Sequence, residues 1–148
     1  FKDIYPLLAS PLFKNAVQEM GNLVLKPDYW VGVESRGFIF ASALAIEFGG
    51  GVVLCRKPGK LPGKIVSQSY DTEYSSDQLS IQMGTGSVVI VDDVLATGGT
   101  LATVDKLCLS AGFNVQNHLV LIDLKYVPRS NYYLETKIKT LKSLISYE

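Results

Sequence analysis

Two adjacent carboxylates, Asp92 and Asp93, follow an apolar run and precede a short turn that carries Ala96, Thr97, Gly98, Gly99 and Thr100. Ionised carboxylates only accept hydrogen bonds, which suits a pair of sugar hydroxyls. Glycines let the backbone approach a ligand closely and adopt positive φ. If a helix begins at the turn, the amides of residues 96–100 converge at its positive end, where an anion is favoured. Thr97 and Thr100 add hydroxyl donors. Acids, glycines and threonines together describe a seat for a phosphorylated sugar. The turn is not a nucleotide-binding Walker loop, because no Gly-Lys-Ser/Thr follows the glycines. Consecutive strand residues point to opposite faces, so both acids address one ligand only if the strand is already breaking at Asp93.

These residues need elements to hold them, and the hydrophobic periods predict which. Residues 11–24 read as a helix with Phe13, Val17, Met20 and Val24 on one face. Residues 29–33 form a short buried strand, 34–37 a turn, and 38–48 a mostly apolar helix ended by glycines. Strands are predicted at 51–55, 88–91 and 115–124, with a helix over 100–110 closed by Gly112. The C-terminal segment carries Leu141, Leu144 and Ile145. Such alternation is the mark of a parallel α/β sheet, whose ligands bind beyond the carboxyl ends of the strands. Residues 57–82 break the rhythm. They are rich in Lys, Gly, Pro and Ser, then in Asp, Glu and Tyr, and suit a β-hairpin arm with a mobile tip.

Composition narrows the function classes. A length of 148 residues fits one domain, and a hydrophobic share of 47% describes a folded globule. Fourteen basic and fourteen acidic side chains cancel, so no global positive field exists to hold nucleic acid. The most apolar stretch, 37–46, is too short to span a bilayer and is closed by Glu47. No signal peptide opens the chain, and the expectation is a soluble cytoplasmic protein without a membrane partner. Cys55 and Cys108 lie in apolar runs without metal-ligand spacing and read as buried free thiols. His118, the one histidine, reads as structural, with no acid–base partner evident.

The segment VVIVDDVLATGGT, residues 88–100, resembles the phosphoribosyl-diphosphate signature of type I phosphoribosyltransferases. Val33, Glu34, Ser35, Arg36, Gly37 and Phe38 resemble the diphosphate-binding loop of the adenine phosphoribosyltransferase family. There the planar fork of Arg36 would hold diphosphate oxygens beside Ser35, and a cis non-proline peptide would fall at Glu34-Ser35. Residues 56–63 resemble that family's basic turn, in which Arg56, Lys57 and Lys60 either steer and hold diphosphate or form a solvated turn. Residues 69–74 resemble its mobile catalytic loop.

The resemblance spans nearly the whole chain and implies a type I phosphoribosyltransferase-like α/β domain, mostly parallel, with a flexible hairpin arm and a homodimeric assembly. It also implies a reaction. Adenine N9 attacks C1 of phosphoribosyl diphosphate (PRPP), releasing diphosphate and giving AMP. Mg²⁺ would travel with PRPP, touching Asp92 or Asp93 through water. Glu73 would handle the base proton with Arg36 as the other catalytic group, and Tyr70 and Tyr74 would close the loop or pack the hairpin. Phe1 and Val94 would stack on the base while the backbone near Lys2 reads its edge. Transferases for 6-oxopurines have an aspartate where this chain has Ala96, consistent with a 6-amino base. Family members carry a segment before Phe1 that covers the base, so the N-terminal hood is expected to be incomplete here, and the 83–87 turn is shorter than the family's. The rival readings are a transferase for another purine such as xanthine, and a non-catalytic PRPP-binding regulatory module.

Overall fold

Val88, Val89, Ile90 and Val91 are all fully buried, which requires apolar cover on both faces of the strand that carries them. The computed structural model describes residues 3–71, 76–136 and 140–148 and supplies that cover. Its elements are α1 (Tyr5–Leu8), α2 (Phe13–Gly21), β1 (Tyr29–Val33), α3 (Arg36–Phe48), β2 (Gly51–Cys55) and β3 (Ile65–Asp71). They continue with β4 (Ser76–Gln82), β5 (Gly86–Leu95), α4 (Gly99–Ala111), β6 (Phe113–Leu124), α5 (Asn131–Glu135) and β7 (Leu141–Tyr147). Five strands form one parallel sheet in the order β2-β1-β5-β6-β7, and β3 pairs with β4 as a separate antiparallel hairpin.

Alternate residues of the sheet enter two cores. Val31, Val88, Ile90 and Val120 pack with Leu101, Val104 and Leu107 of α4 and with Leu79 and Ile81 of β4. Trp30, Val89, Val91 and Leu119 pack with Val17 and Met20 of α2 and with Phe40 and Leu44 of α3. The period of two therefore decides which helix each strand residue meets.

The connection β1-α3-β2 runs toward one edge of the sheet and β5-α4-β6 toward the other. The topological switch point thus lies between β1 and β5, where an open α/β sheet offers its crevice. Register widens it. Pairing of β1 with β5 ends at Gly32 and Val91, whereas β5 follows β6 as far as Leu95 and Asp123.

Three expectations need correction. The first helix is shorter than 11–24: a Ser10-centred turn precedes it, with the Leu12 amide donating to Ser10 Oγ, and Asn22 caps its end. The helix after β1 starts at Arg36 rather than residue 38, which places Arg36 in its first turn. His118 does have a partner, because packing of α4 on β6 sets Asp105 Oδ2 at 2.8 Å from its Nε2, both residues being buried. The cysteines are free and buried as expected, and burial pushes the Cys55 thiol up to about 12. Among the described residues, no helix is long and apolar enough to cross a membrane.

Candidate active site

A cavity of about 300 Å³ opens at the switch point, lined by Val33, Glu34, Ser35, Arg36, Lys57, Leu79, Asp92, Asp93, Val94, Ala96 and Thr100. It adjoins a recess of about 120 Å³ over Ala96, Thr97, Gly98 and Thr100. Another cavity, near the base of the hairpin, is lined by Tyr29, Val52, Leu54, Gln82, Met83 and Phe113 among others, with no carboxylate or cation. Of these, the crevice between β1 and β5 is the one with paired acids and a guanidinium on its walls.

The sequence expectation that the strand breaks at Asp93 is overturned, since β5 runs on to Leu95. Both acids still line the cavity. Past Val91 the strand has lost its β1 neighbour, and the acid side chains fold onto the main chain. The Asp93 amide donates to Asp92 Oδ1 at 2.8 Å, and the Val94 amide to Asp93 Oδ1 at 2.9 Å. Arg36 Nε lies 2.8 Å from Asp93 Oδ2, and its side chain is 44% exposed, so the guanidinium reaches solvent as well as the acid. Burial, together with the neighbouring Asp93 carboxylate, pushes Asp92 well above the usual carboxylate range. The two acids thus differ: Asp93 has a cation beside it, and Asp92 resists ionisation.

The loop that carries Arg36 is held close to β5. The Glu34-Ser35 peptide is cis, as the resemblance implied. A Cβ at Gly37 would lie 2.8 Å from the Val91 carbonyl oxygen, so only glycine lets α3 begin this near the strand. Glu34 gathers the basic turn. Its carboxylate accepts from Arg56 Nε at 3.3 Å, the Lys57 amide at 3.1 Å and Lys60 Nζ at 3.4 Å. Burial alone would raise the Glu34 carboxyl, but the Lys57 amide, Arg56 and Lys60 outweigh it and hold the group below its ordinary value. Arg56 also lies 5.8 Å from the centre of the Phe38 ring. Of the three basic residues only Lys57 lines the cavity; Arg56 and Lys60 are tied to its wall.

At the other end Gly98 has φ of 87° and stands as the N-cap of α4, with Gly99 the first helical residue. This left-handed turn leads into a thirteen-residue helix whose positive end faces the recess. Thr100 and Val94 line both the cavity and the recess.

The sequence reading missed a second layer behind this turn. Arg129 pairs with Asp123 and donates to the carbonyls of Ala96 and Leu124. The Ser130 amide donates to the Thr97 carbonyl at 2.9 Å. No spacing rule marks these residues, whose only sequence trace is an acid ending a strand with an arginine six positions on. Leu79, which the hairpin brings to the cavity, was equally unmarked. Four expected site residues, Phe1, Lys2, Glu73 and Tyr74, lie outside the described residues. Tyr70 falls on β3, in register with Asp77 across the hairpin.

Comparison with known proteins finds relatives of the same fold. Residues 8–130 match the family model described as a phosphoribosyl transferase domain. An adenine phosphoribosyltransferase of Polynucleobacter asymbioticus is 47% identical over 131 residues, covering 84% of this chain and 76% of the relative. The crystal structure of adenine phosphoribosyltransferase from Thermoanaerobacter pseudethanolicus superposes with a TM-score of 0.87 at 36% identity, covering 99% of this chain and 88% of that one. The Saccharomyces cerevisiae enzyme, complexed with adenine and an imino-altritol bisphosphate, superposes with a TM-score of 0.82 at 32% identity, covering 97% and 86%.

Proposed function

The chain belongs to the adenine phosphoribosyltransferase family, and from that premise we propose that it transfers ribose 5-phosphate from PRPP to adenine, giving AMP and diphosphate in purine salvage. The observation that carries this reading is one continuous crevice with a guanidinium at one end, a helix N-terminus at the other and two carboxylates between. PRPP presents the same series: diphosphate, ribose hydroxyls, 5-phosphate.

Bond cleavage leaves positive charge on the sugar ring and adds negative charge to the departing diphosphate. Arg36 is placed to receive the diphosphate, exchanging part of its contact with Asp93 for phosphate oxygens. Lys57 adds a second positive group on the same wall. Asp92 and Asp93 accept from the ribose hydroxyls and hold the sugar between its two anionic ends. The 96–100 turn takes the 5-phosphate through main-chain amides and the Thr97 and Thr100 hydroxyls. Val94 offers an apolar wall to the base. Glu73 is assigned the proton lost from adenine N9, on the strength of its Tyr-x-x-Glu-Tyr setting.

The described residues contain no group of three or more His, Cys, Asp or Glu able to cage a metal. The acid pair on the cavity wall nevertheless fits a Mg²⁺ carried in on substrate oxygens, with Asp92 and Asp93 reached through water. The ion would supply charge neutralisation on the diphosphate. The same reading has the protein acting as a cytoplasmic homodimer, symmetric dimers being the commonest oligomers.

The test is product formation from PRPP and Mg²⁺ with adenine, hypoxanthine, guanine or xanthine offered separately. AMP from adenine alone is expected; no nucleotide from any base, despite binding of PRPP, would sink the reading. Glu73→Ala should lower turnover while leaving PRPP affinity nearly intact, and equal turnover would remove Glu73 from the reaction.

A further inference from the structure

The 96–100 turn is gripped from behind by one stretch of chain. Arg129 donates to the Ala96 carbonyl, the Ser130 amide donates to the Thr97 carbonyl, and the Tyr133 ring packs on Gly98, where an added Cβ would come within 2.2 Å of Cδ2. The only cis peptide among the described residues is Glu34-Ser35, so the peptides joining Ala96, Thr97 and Gly98 are trans and planar. In such a unit the carbonyl and the following N–H point in opposite directions. Holding the Ala96 and Thr97 carbonyls on the far side therefore aims the Thr97 and Gly98 amides away from Arg129 and Ser130. The recess that Ala96, Thr97 and Gly98 line is the space left to them.

Stability does not explain the ion pair that anchors this grip. The side chains of Arg129 and Asp123 are 17% and 5% exposed. Pairs buried to this degree are often no better for stability than apolar residues of similar volume. What a guanidinium adds is reach in several directions from a planar fork. Here it spans Asp123, the Leu124 carbonyl and the Ala96 carbonyl, linking the end of β6 to the turn.

We propose that Arg129, held by Asp123 and seconded by the Ser130 amide, is a positioning residue that orients the main-chain amides of the turn toward the 5-phosphate of the substrate. The inference rests on the assignment of the 96–100 turn to that phosphate. It requires Arg129 substitutions to act on one ligand and not the other. Ribose 5-phosphate and AMP engage the turn, whereas free diphosphate engages the Arg36 loop.

Calorimetric titration of the full chain with ribose 5-phosphate, and separately with diphosphate and Mg²⁺, makes the distinction. Arg129→Gln should weaken ribose 5-phosphate on the order of 10- to 100-fold, as misplacement of a cradle by a fraction of an ångström or more would do. Diphosphate affinity should hold within about twofold, with Arg129→Lys intermediate, and KM for PRPP should rise more than kcat falls. Should Arg129→Gln not fold, Ser130 decides. Its φ of −67° suits proline, and in Ser130→Pro the ring Cδ takes the place of the amide hydrogen, which both removes the donor and pushes the Thr97 carbonyl out of its hold. Ser130→Ala removes only the hydroxyl that caps α5 and keeps the donor. Ser130→Pro should bind ribose 5-phosphate about tenfold more weakly than Ser130→Ala. Unchanged ribose 5-phosphate affinity in these variants, or parallel loss of both ligands with a lowered melting temperature, would overturn the positioning role. Wild-type protein that binds diphosphate but no ribose 5-phosphate would overturn the phosphate assignment, and the positioning role with it.

Discussion

On the proposed reading the 34–37 loop would meet the ligand with a guanidinium at one end of the crevice, and the 96–100 turn with main-chain amides at the other. Each end has its own support. Glu34 tethers Arg56, the Lys57 amide and Lys60 beside the first, and Arg129 and Ser130 hold the carbonyls of the second. The supports have opposite charge because they hold opposite things: an anion gathers cationic side chains, and a cation restrains carbonyls. A side-chain site depends on which residue is present. A main-chain site depends on conformation, and any residue compatible with that conformation serves.

The difference can be broken most decisively at Arg36. Arg36→Ala should cut kcat/KM by about 10²–10³-fold, the scale of losing one preorganised group at a developing charge. Ribose 5-phosphate affinity, read by calorimetry, should fall far less than diphosphate affinity, because only the cation beside Asp93 is lost from its side of the crevice; equal loss of both would show that the two ends are not independent. Gly98→Ala attacks the other end through conformation alone. Its φ of 87° and the Tyr133 ring should cost about 1–3 kcal/mol of stability in urea unfolding, with selective loss of ribose 5-phosphate.

Asp92 lies between the ends and is expected to set stability against binding. Its raised pKa means that ionised Asp92 opposes folding. That penalty is absent below the unfolded-state value and develops as pH rises through the folded one. Asp92→Asn should then melt about 2–5 °C higher at neutral pH, lose the gain on acidification, and bind PRPP less well. The smallest effect belongs to Glu34→Gln. Freeing the basic turn should raise KM for PRPP a few-fold, equivalent to about 1 kcal/mol. Because the Glu34 carboxyl is held below its ordinary value of 4.5, its anchoring is fully present above that pH and lost only as pH falls through the lowered value. An effect at Glu34 as large as that at Arg36 would mean the basic turn itself binds the diphosphate.

The legibility of these regions in the sequence follows the same division. β1 and β2 were read with the bounds the structure has, because short apolar runs between turn residues leave little choice. β5 was read only as far as Val91, because two charged residues look like a strand end. They are strand all the same: β6 continues beside them and their own carboxylates bond the following amides. His118 was read without its partner, since Asp105 approaches only when α4 packs on β6. The glycine turn is legible from residue type and order, and the Arg36 loop from its resemblance to the family's diphosphate-binding loop. Glu34 was seen as part of a loop but not as the tether of the basic turn, and Asp123, Arg129 and Ser130 were not seen at all.

The sequence by itself determined the parallel α/β order, the acid pair, the glycine turn and the arginine loop, because each is written in residues adjacent along the chain. The tertiary structure alone decided which way the peptide groups of the turn face, where β1 parts from β5, and which charges meet. Those depend on residues such as Ala96 and Arg129, or Glu34 and Lys60, that are far apart in the chain and are brought together only when both cores close on the sheet.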